Sequence, residues 1–330
     1  MSKKIFIISI LSILFCCTKI EDNNQLTIYT YDSFSWIQKS LVPYFEKSHN
    51  CKIKLVLFDS TSGILTRLKL EKDNPQADIA IGITPTMLAQ SKKDNLFDKY
   101  KSPKLENIKD ISLIFDKDYF TTPYDYGALA VLYNTDKIKK VPANFSDLFN
   151  HKKSLLIQDP RTSSTGTDFL LWTIALHGNN WKNFWSSFKG SVLTSSTGWS
   201  ESFAKFESGE APMMISYATD NAYSIHNYGS SAYNLVIPGG KAFLQIEGAS
   251  IVKGSSQTLL AGKFIDFMLS DMFQKEIPLN QWMFPVTNTE LPEVFSHALH
   301  PEQTVSIPLT EIEDNLDQWL IDWEKIMVAD

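Results

Sequence analysis

The amino-acid sequence predicts an α/β protein built as two lobes. Strand and helix signals alternate from residue 26 to the helix start at Thr84-Pro85, and a second alternating series begins near residue 123. The length of 330 residues, at 43% hydrophobic content, exceeds what one small core requires. With 14 Gly, 14 Pro and ordinary aliphatic content, the chain is neither disordered, collagen-like nor of low complexity. Its formal charge is −6, from 31 basic and 37 acidic residues, and no run of Lys or Arg exceeds two neighbours. No basic face for nucleic acid can be read from it. A mildly acidic body suits a cationic small ligand.

The first residues read as a targeting segment. Lys3 and Lys4 precede an apolar run from Ile5 to Phe15, too short for a membrane span. Leu14-Phe15-Cys16-Cys17 resembles a bacterial lipobox, which makes Cys17 the lipidated first residue of the mature protein. Cys16 is the competing choice, with bulky Phe15 at the small position, and an ordinary secretory signal with incidental cysteines is the alternative. The expected division is a signal peptide over 1–16 and a lipid-anchored tether over 17–25. Only Cys51 then remains in the body, so neither an intrachain disulfide nor a cysteine-rich metal site is expected.

Each element of the body has its own signal. Leu26-Thr27-Ile28-Tyr29-Thr30-Tyr31 alternates and is β-branched and aromatic, hence a strand. A helix is expected over Trp36 to Ser48, bent or restarted at Pro43. Lys52 to Phe58 is a second strand; Ser60 to Gly63 then caps a helix with Ile64, Leu65, Leu68 and Leu70 on its apolar face. Asp78 to Ile83 is a buried strand, and Thr84-Pro85 opens the next helix. This alternation predicts a parallel sheet covered by helices. Further strands are expected at Ala128 to Tyr133, Leu155 to Gln158 and Pro212 to Tyr217. Helices are expected from Phe169 to a stop at Gly178, from Trp199, from Thr219-Asp220 through Tyr223, over Leu259 to Leu269 and over Thr310 to Met327. In the last, Ile312, Leu316, Trp319, Leu320 and Trp323 share one face. No Gly/Ser-rich linker marks a boundary, so more than one segment should cross between the lobes.

Ligands of open α/β sheets bind beyond the carboxyl ends of strands, and that is where polar and aromatic clusters gather. Arg161-Thr162-Ser163-Ser164-Thr165-Gly166 offers hydroxyls and free N–H groups at a helix start, an anion or hydroxyl cradle. Simple N-capping by Ser164 or Thr165 is the bland alternative. Tyr31, Tyr217 and Tyr223 fall at strand ends or first helical turns, and Trp199 and Trp282 sit beside Gly, Asn, Gln and Pro. Their faces suit a flat cationic ring, at roughly 0.5–2 kcal/mol each; an ordinary interlobe core would use them too. Asp125, between two tyrosines, is a polar candidate or a hinge or turn residue. No Gly-x-Ser-x-Gly elbow, P-loop or His-Glu-x-x-His occurs. The six histidines have no ligand spacing and read as structural or exposed.

Several of these runs, in this order, resemble the periplasmic thiamine-binding proteins of bacterial ABC importers over nearly the whole mature length. They are Leu26 to Phe34, Asp125-Tyr126-Gly127, Gln158 to Ser163, Gly198-Trp199-Ser200-Glu201, Glu247, Ile277-Pro278 and Trp282-Met283-Phe284-Pro285-Val286. The resemblance implies a two-lobed type II periplasmic binding protein fold with its ligand cleft between the lobes. It places lobe 1 at 26–122 and 246–290, and lobe 2 at 123–245 and 291–330. It implies a site of Tyr31, Ser163, Ser164, Trp199, Tyr217, Ala218, Thr219, Asp220, Tyr223 and Trp282. There Tyr31, Tyr223 and Trp282 wall the ring system; Ser163, Ser164 and Tyr217 to Thr219 hold the hydroxyethyl or phosphate end. No cofactor is expected beyond the ligand, thiamine or its phosphates. The implied protein is not an enzyme but an exported monomer, lipid-anchored to a bacterial membrane and facing the periplasm or cell exterior. It would close on its ligand and pass it to an ABC permease with its ATPase.

Two departures from the family's pattern stand out. The turn Phe58-Asp59-Ser60-Thr61-Ser62-Gly63 is one residue longer, leaving open whether Asp59 or Ser60-Thr61 faces the ligand. Asp220 stands where the family has Ser, and a carboxylate there would repel a pyrophosphate, favouring unphosphorylated thiamine. Two rivals differ in class. A thiaminase-like enzyme on this fold needs an activated cysteine in the cleft, whereas Cys51 precedes a strand, at the far end, and is expected to be a buried, inert thiol. A ferric-iron binder needs adjacent tyrosines, of which there are none. A polyamine binder needs several carboxylates among the aromatics, for which only Asp32, Asp125 and Asp220 are at hand.

Overall fold

A computed structural model describes residues 24–229 and 233–329. The signal segment, Cys16 and Cys17 lie outside those residues. The chain opens with β1 (Gln25–Tyr31), α1 (Leu41–His49), β2 (Lys52–Phe58), α2 (Thr61–Leu70), β3 (Ile79–Ile83), α3 (Pro85–Asp94) and β4 (Phe97–Asp98). A long strand, β5 (Thr122–Asn134), leads to α4 (Phe145–Leu148), β6 (Leu155–Gln158), α5 (Ser164–His177), α6 (Trp181–Phe188), β7 (Val192–Ser196) and α7 (Trp199–Glu207). Then come β8 (Met213–Tyr217), α8 (Asp220–Tyr228), β9 (Tyr233–Val236), β10 (Lys241–Val252), α9 (Thr258–Met268), α10 (Asp271–Gln274) and α11 (Ile277–Gln281). β11 (Phe284–Pro285), β12 (Gln303–Val305) and α12 (Leu309–Val328) complete it.

The main strand order is β2-β1-β3-β10-β5-β8-β6-β7. The sheet is mixed, which corrects the expectation of a parallel one. β1 is parallel to β2 and β3, and β6 to β7 and β8. Between these parallel groups run β10 and β5, antiparallel to each other and to β3 and β8 respectively. β5 pairs through Thr122 to Ala128 with β10 and through Leu129 to Tyr133 with β8, so one 13-residue strand passes from the first group to the second. Because these two strands cross between the lobes, no flexible linker is needed in the sequence.

Each parallel group has its own apolar core. Ile28, Phe34, Phe45, Ile64, Ile81 and Phe264 belong to the first. Leu132, Leu156, Phe169, Trp172, Trp185 and Ile215 belong to the second. α12 buries Ile312, Leu316, Trp319 and Trp323 in the second core, each worth about 1.5–3 kcal/mol of transfer free energy. Its outer face reaches the first lobe, where Lys92 and Lys93 of α3 pair with Glu313 at 2.8 Å and Asp317 at 2.7 Å.

Local signals behave as chemistry dictates. Thr84 caps α3 by accepting from the Met87 N–H, with Pro85 at the first helical position. Pro43 does not restart its helix. The break falls at Lys39-Ser40, after a 3-10 turn over Asp32–Gln38, and Pro43 sits in the first turn of α1, where no N–H bond is lost. Leu70 is exposed rather than packed, because it lies on the turn beyond Leu68 at the end of α2. The cap of α5 is Ser163, whose Oγ accepts from the Gly166 N–H, and not Ser164 or Thr165.

Candidate functional site

The parallel strands of both lobes end at one cleft. β1 ends at Tyr31, β2 runs into Asp59-Ser60, β6 into Ser163, β7 into Gly198-Trp199, and β8 ends at Tyr217. A cavity of about 290 Å³ lies there. Of the residues singled out from the sequence, Tyr31, Asp59, Ser60, Thr61, Ser163, Ser164, Trp199, Tyr217, Asp220, Tyr223 and Trp282 line it.

Two do not. Ala218 and Thr219 are fully buried behind the wall. The Ala218 N–H donates to the Ala128 carbonyl and its own carbonyl accepts from the Leu299 N–H, so neither group is free for a ligand. Thr219 Oγ1 donates to the Trp282 carbonyl at 2.6 Å. Arg161, the one cation of the proposed cradle, also turns away. It pairs with Asp159 and Glu324 and lies over the Trp323 ring. The Ser164 N–H is engaged as well, donating to Thr61 Oγ1 at 3.1 Å across the cleft. Hydroxyls of Ser163, Ser164 and Thr165 remain at the cavity wall.

The aromatic walls are held from behind. Trp199 opens α7, stacks on Phe203 at 4.7 Å and donates from Nε1 to Ser216 Oγ at 2.9 Å. The Tyr217 hydroxyl meets Thr165 Oγ1 at 2.8 Å. Trp282 follows α11 in the left-handed region (φ 57°), stacks on Phe295 and meets Tyr223 edge-on at 5.2 Å. Tyr31 packs on Gly82, whose φ of +93° and missing side chain are both needed: a Cβ there would stand 2.5 Å from the ring.

Sequence reading missed the floor. Gln245, Glu247 and Met283 line it, and Glu247 is buried. The available signal was a pair of large polar residues two apart, on one face of the mostly apolar strand Ala242 to Val252. Tyr31 donates to Glu247 Oε2 at 2.5 Å and Tyr124 donates to the same oxygen at 3.1 Å, while Gln245 Nε2 donates to Oε1 at 3.2 Å. Asp125, opposite Glu247 in the strand pairing, lies behind it. Burial, then the charge of Glu247, pushes the Asp125 carboxyl and the Tyr31, Tyr124 and Tyr217 phenols well up. Asp125 is thus part of a lobe-crossing strand and not of a turn. Asp220 accepts from the Tyr217 N–H at 3.4 Å, and burial pushes its carboxyl up to about 7. Four carboxyl groups (Asp32, Asp59, Asp220, Glu247) line the cavity, with no Lys, Arg or His among the lining residues.

Residues 29–275 match the family model of bacterial extracellular solute-binding proteins. The chain belongs to that family. It is 32% identical over 318 residues to the thiamine-binding periplasmic protein of Escherichia coli K12, covering 95% of this chain and 96% of that one. The thiamine-binding periplasmic protein of Brucella melitensis is 34% identical over 323 residues, with 96% of each chain covered. Among solved structures, a periplasmic thiamin binding protein superposes with a TM-score of 0.84 at 30% identity, over 92% of this chain and 96% of that one. A ferric ion-binding protein A from Pasteurella haemolytica superposes at 0.77 with 18% identity over 93% and 99%, a likeness of fold alone. The fold is therefore the two-lobed type II periplasmic binding protein fold expected from the sequence. Cys51, the free cysteine of the described residues, immediately precedes β2, at the end opposite Asp59, and is buried, which pushes its thiol up.

Proposed function

We propose that this protein is the solute-binding component of an ABC importer and that its ligand is thiamine. The observation that carries the reading is a cleft walled by Tyr31, Trp199, Tyr217, Tyr223 and Trp282, with carboxylates and no cationic side chain around it. Thiamine is flat and carries a permanent positive charge, and aromatic faces attract such a ring, most strongly out of water. The named relatives favour the same ligand.

Lobe closure supplies the mechanism. Ligand seated between the walls draws the lobes together across contacts such as Thr61–Ser164, and a membrane permease with its ATPase recognises the closed shape. The protein acts without catalysis, as a monomer, exported and held to the membrane through lipidated Cys17. Against an enzyme, the lining holds no cysteine. Against iron, no two cleft tyrosines adjoin in sequence, and the Tyr217 and Tyr31 hydroxyls already bond Thr165 Oγ1 and Glu247. Thermal shift against thiamine, Fe³⁺ and putrescine tests the reading: thiamine alone should raise the melting temperature, because a ligand stabilises the state that binds it. A shift with either rival and none with thiamine contradicts it. Intact-mass analysis of the membrane-extracted protein tests the lipid at Cys17.

A further inference from the structure

Glu247 in the floor of the cleft and Asp125 behind it form a carboxyl pair whose charge state the surrounding donors determine. Asp125 and Glu247 are directly opposite residues of β5 and β10, and such cross-strand pairs share one face with Cβ atoms about 4.5–5.5 Å apart. Both are buried. Two ionised carboxylates so close, out of water and without a cation, cannot both persist, so the pair holds a proton.

Hydrogen bonds decide where it resides. Glu247 accepts from Tyr31, Tyr124 and Gln245. Apart from Glu247 itself, neither oxygen of Asp125 has a partner. Burial pushes both carboxyls up, but on Glu247 three donors, and a protonated Asp125 as a fourth, oppose it, whereas nothing stabilises charge on Asp125. Asp168 of α5, with both oxygens unpartnered, is likewise pushed up by burial and by Glu247, and the three tyrosines stay neutral for the same reasons. Of the other lining carboxyls, Asp32 and Asp59 are exposed and screened, and Asp220, the first residue of α8, is buried with its own backbone donor. Beside Glu247, Gln245 also lines the cavity, and its buried Oε1 has no partner, leaving an acceptor free for a ligand N–H.

We propose that Glu247 is the specificity-determining residue of the cleft, the carboxylate that selects a cationic ring over a neutral ring of the same shape. Asp125 is a positioning residue: by keeping the proton of the pair it keeps the charge on Glu247. This rests on the thiamine reading and names the group that reads the ligand's charge.

Titration calorimetry at pH 7.5 with thiamine and its uncharged thiophene isostere tests it. The wild-type protein should prefer thiamine by at least about tenfold, the scale expected for a poorly screened charge pair. Glu247→Gln should bring the two affinities close to parity by weakening thiamine alone. Asp125→Asn, whose amide still donates to Glu247, should keep the preference. A Glu247→Gln protein that still prefers thiamine as strongly overturns the assignment, and an Asp125→Asn protein that loses the preference overturns the placement of the proton. If Glu247→Gln does not fold, Glu247→Met, which also removes the charge, takes its place in the same titrations. It should likewise bring the two affinities close to parity, and a Glu247→Met protein that prefers thiamine as strongly as the wild type overturns the proposal. Wild-type protein that binds neither compound overturns the thiamine reading itself, whereas equal binding of both leaves a ligand site and removes only the role of Glu247.

Discussion

Thr219 Oγ1 donates to the backbone carbonyl of Trp282 at 2.6 Å and so ties the end of β8 to the loop after α11. The bond fixes a tryptophan whose backbone is already in the left-handed region. Such a conformation costs of order 1–3 kcal/mol and persists only when its surroundings enforce it. Thr219→Val should therefore weaken thiamine binding several-fold and lower stability by about 1 kcal/mol. Calorimetric titration and a denaturant melt check both effects.

Trp282 and Trp199 are expected to report the ligand directly. Thiamine stacked in the cleft should quench tryptophan emission. Trp282→Ala should remove most of that change and weaken binding by about 10-fold to 30-fold, the upper part of what one cation–π contact contributes. Fluorescence titration of the wild type and variant measures it.

At Gly82, two constraints coincide: a positive φ and the Tyr31 ring against its backbone. Gly82→Ala should cost about 1–3 kcal/mol in strain and displace Tyr31 from the cleft wall. The melting temperature and thiamine affinity should fall together. An unchanged affinity would show that Tyr31 is not held by this contact.

Asp220 gives a pH prediction with a definite sign. Its carboxyl moves from the ordinary 3.8 to about 7 on folding, burial being the main cause. Between those values the native state holds a proton that the unfolded chain has released, so stability falls as pH rises from about 4 through 7. Asp220→Ser should be more stable than wild type at pH 8 by about 2 kcal/mol, less than the full shift because bonds to Ser216 and Tyr217 are lost. That gain should vanish at pH 4.

The same residue bears on phosphorylated ligands. With Arg161 paired elsewhere and the Ser164 N–H engaged by Thr61, the helix start offers hydroxyls rather than cations. Thiamine diphosphate should bind more weakly than thiamine, and Asp220→Ser should narrow the difference. Equal binding of the two, insensitive to Asp220→Ser, would contradict this.

Local chemistry accounts for what could be read from the sequence. Strands Lys52–Phe58 and Leu155–Gln158 recur with the expected bounds, because a short apolar or β-branched run between polar turns has few other uses. The five aromatic walls stood out because Tyr31 and Tyr217 end strands, Tyr223 falls in a first helical turn, and Trp199 and Trp282 flank turn residues. The antiparallel pairing of β10 between β3 and β5 had no local signal, since it joins segments more than a hundred residues apart. Arg161 looked like part of the cradle because sequence shows neighbours but not direction, and its partner Glu324 lies at the other end of the chain. Glu247 stood out as a single matching position, yet its role depends on Tyr31, Tyr124 and Asp125 arriving from two other strands.

Calorimetric titration of the purified protein with thiamine tests the central claim most directly. Saturable binding of one thiamine per chain, lost when Tyr31, Tyr223 and Trp282 are replaced together by alanine, is the predicted result. Absence of heat with thiamine, in protein whose melting temperature rises with putrescine or Fe³⁺, would contradict it.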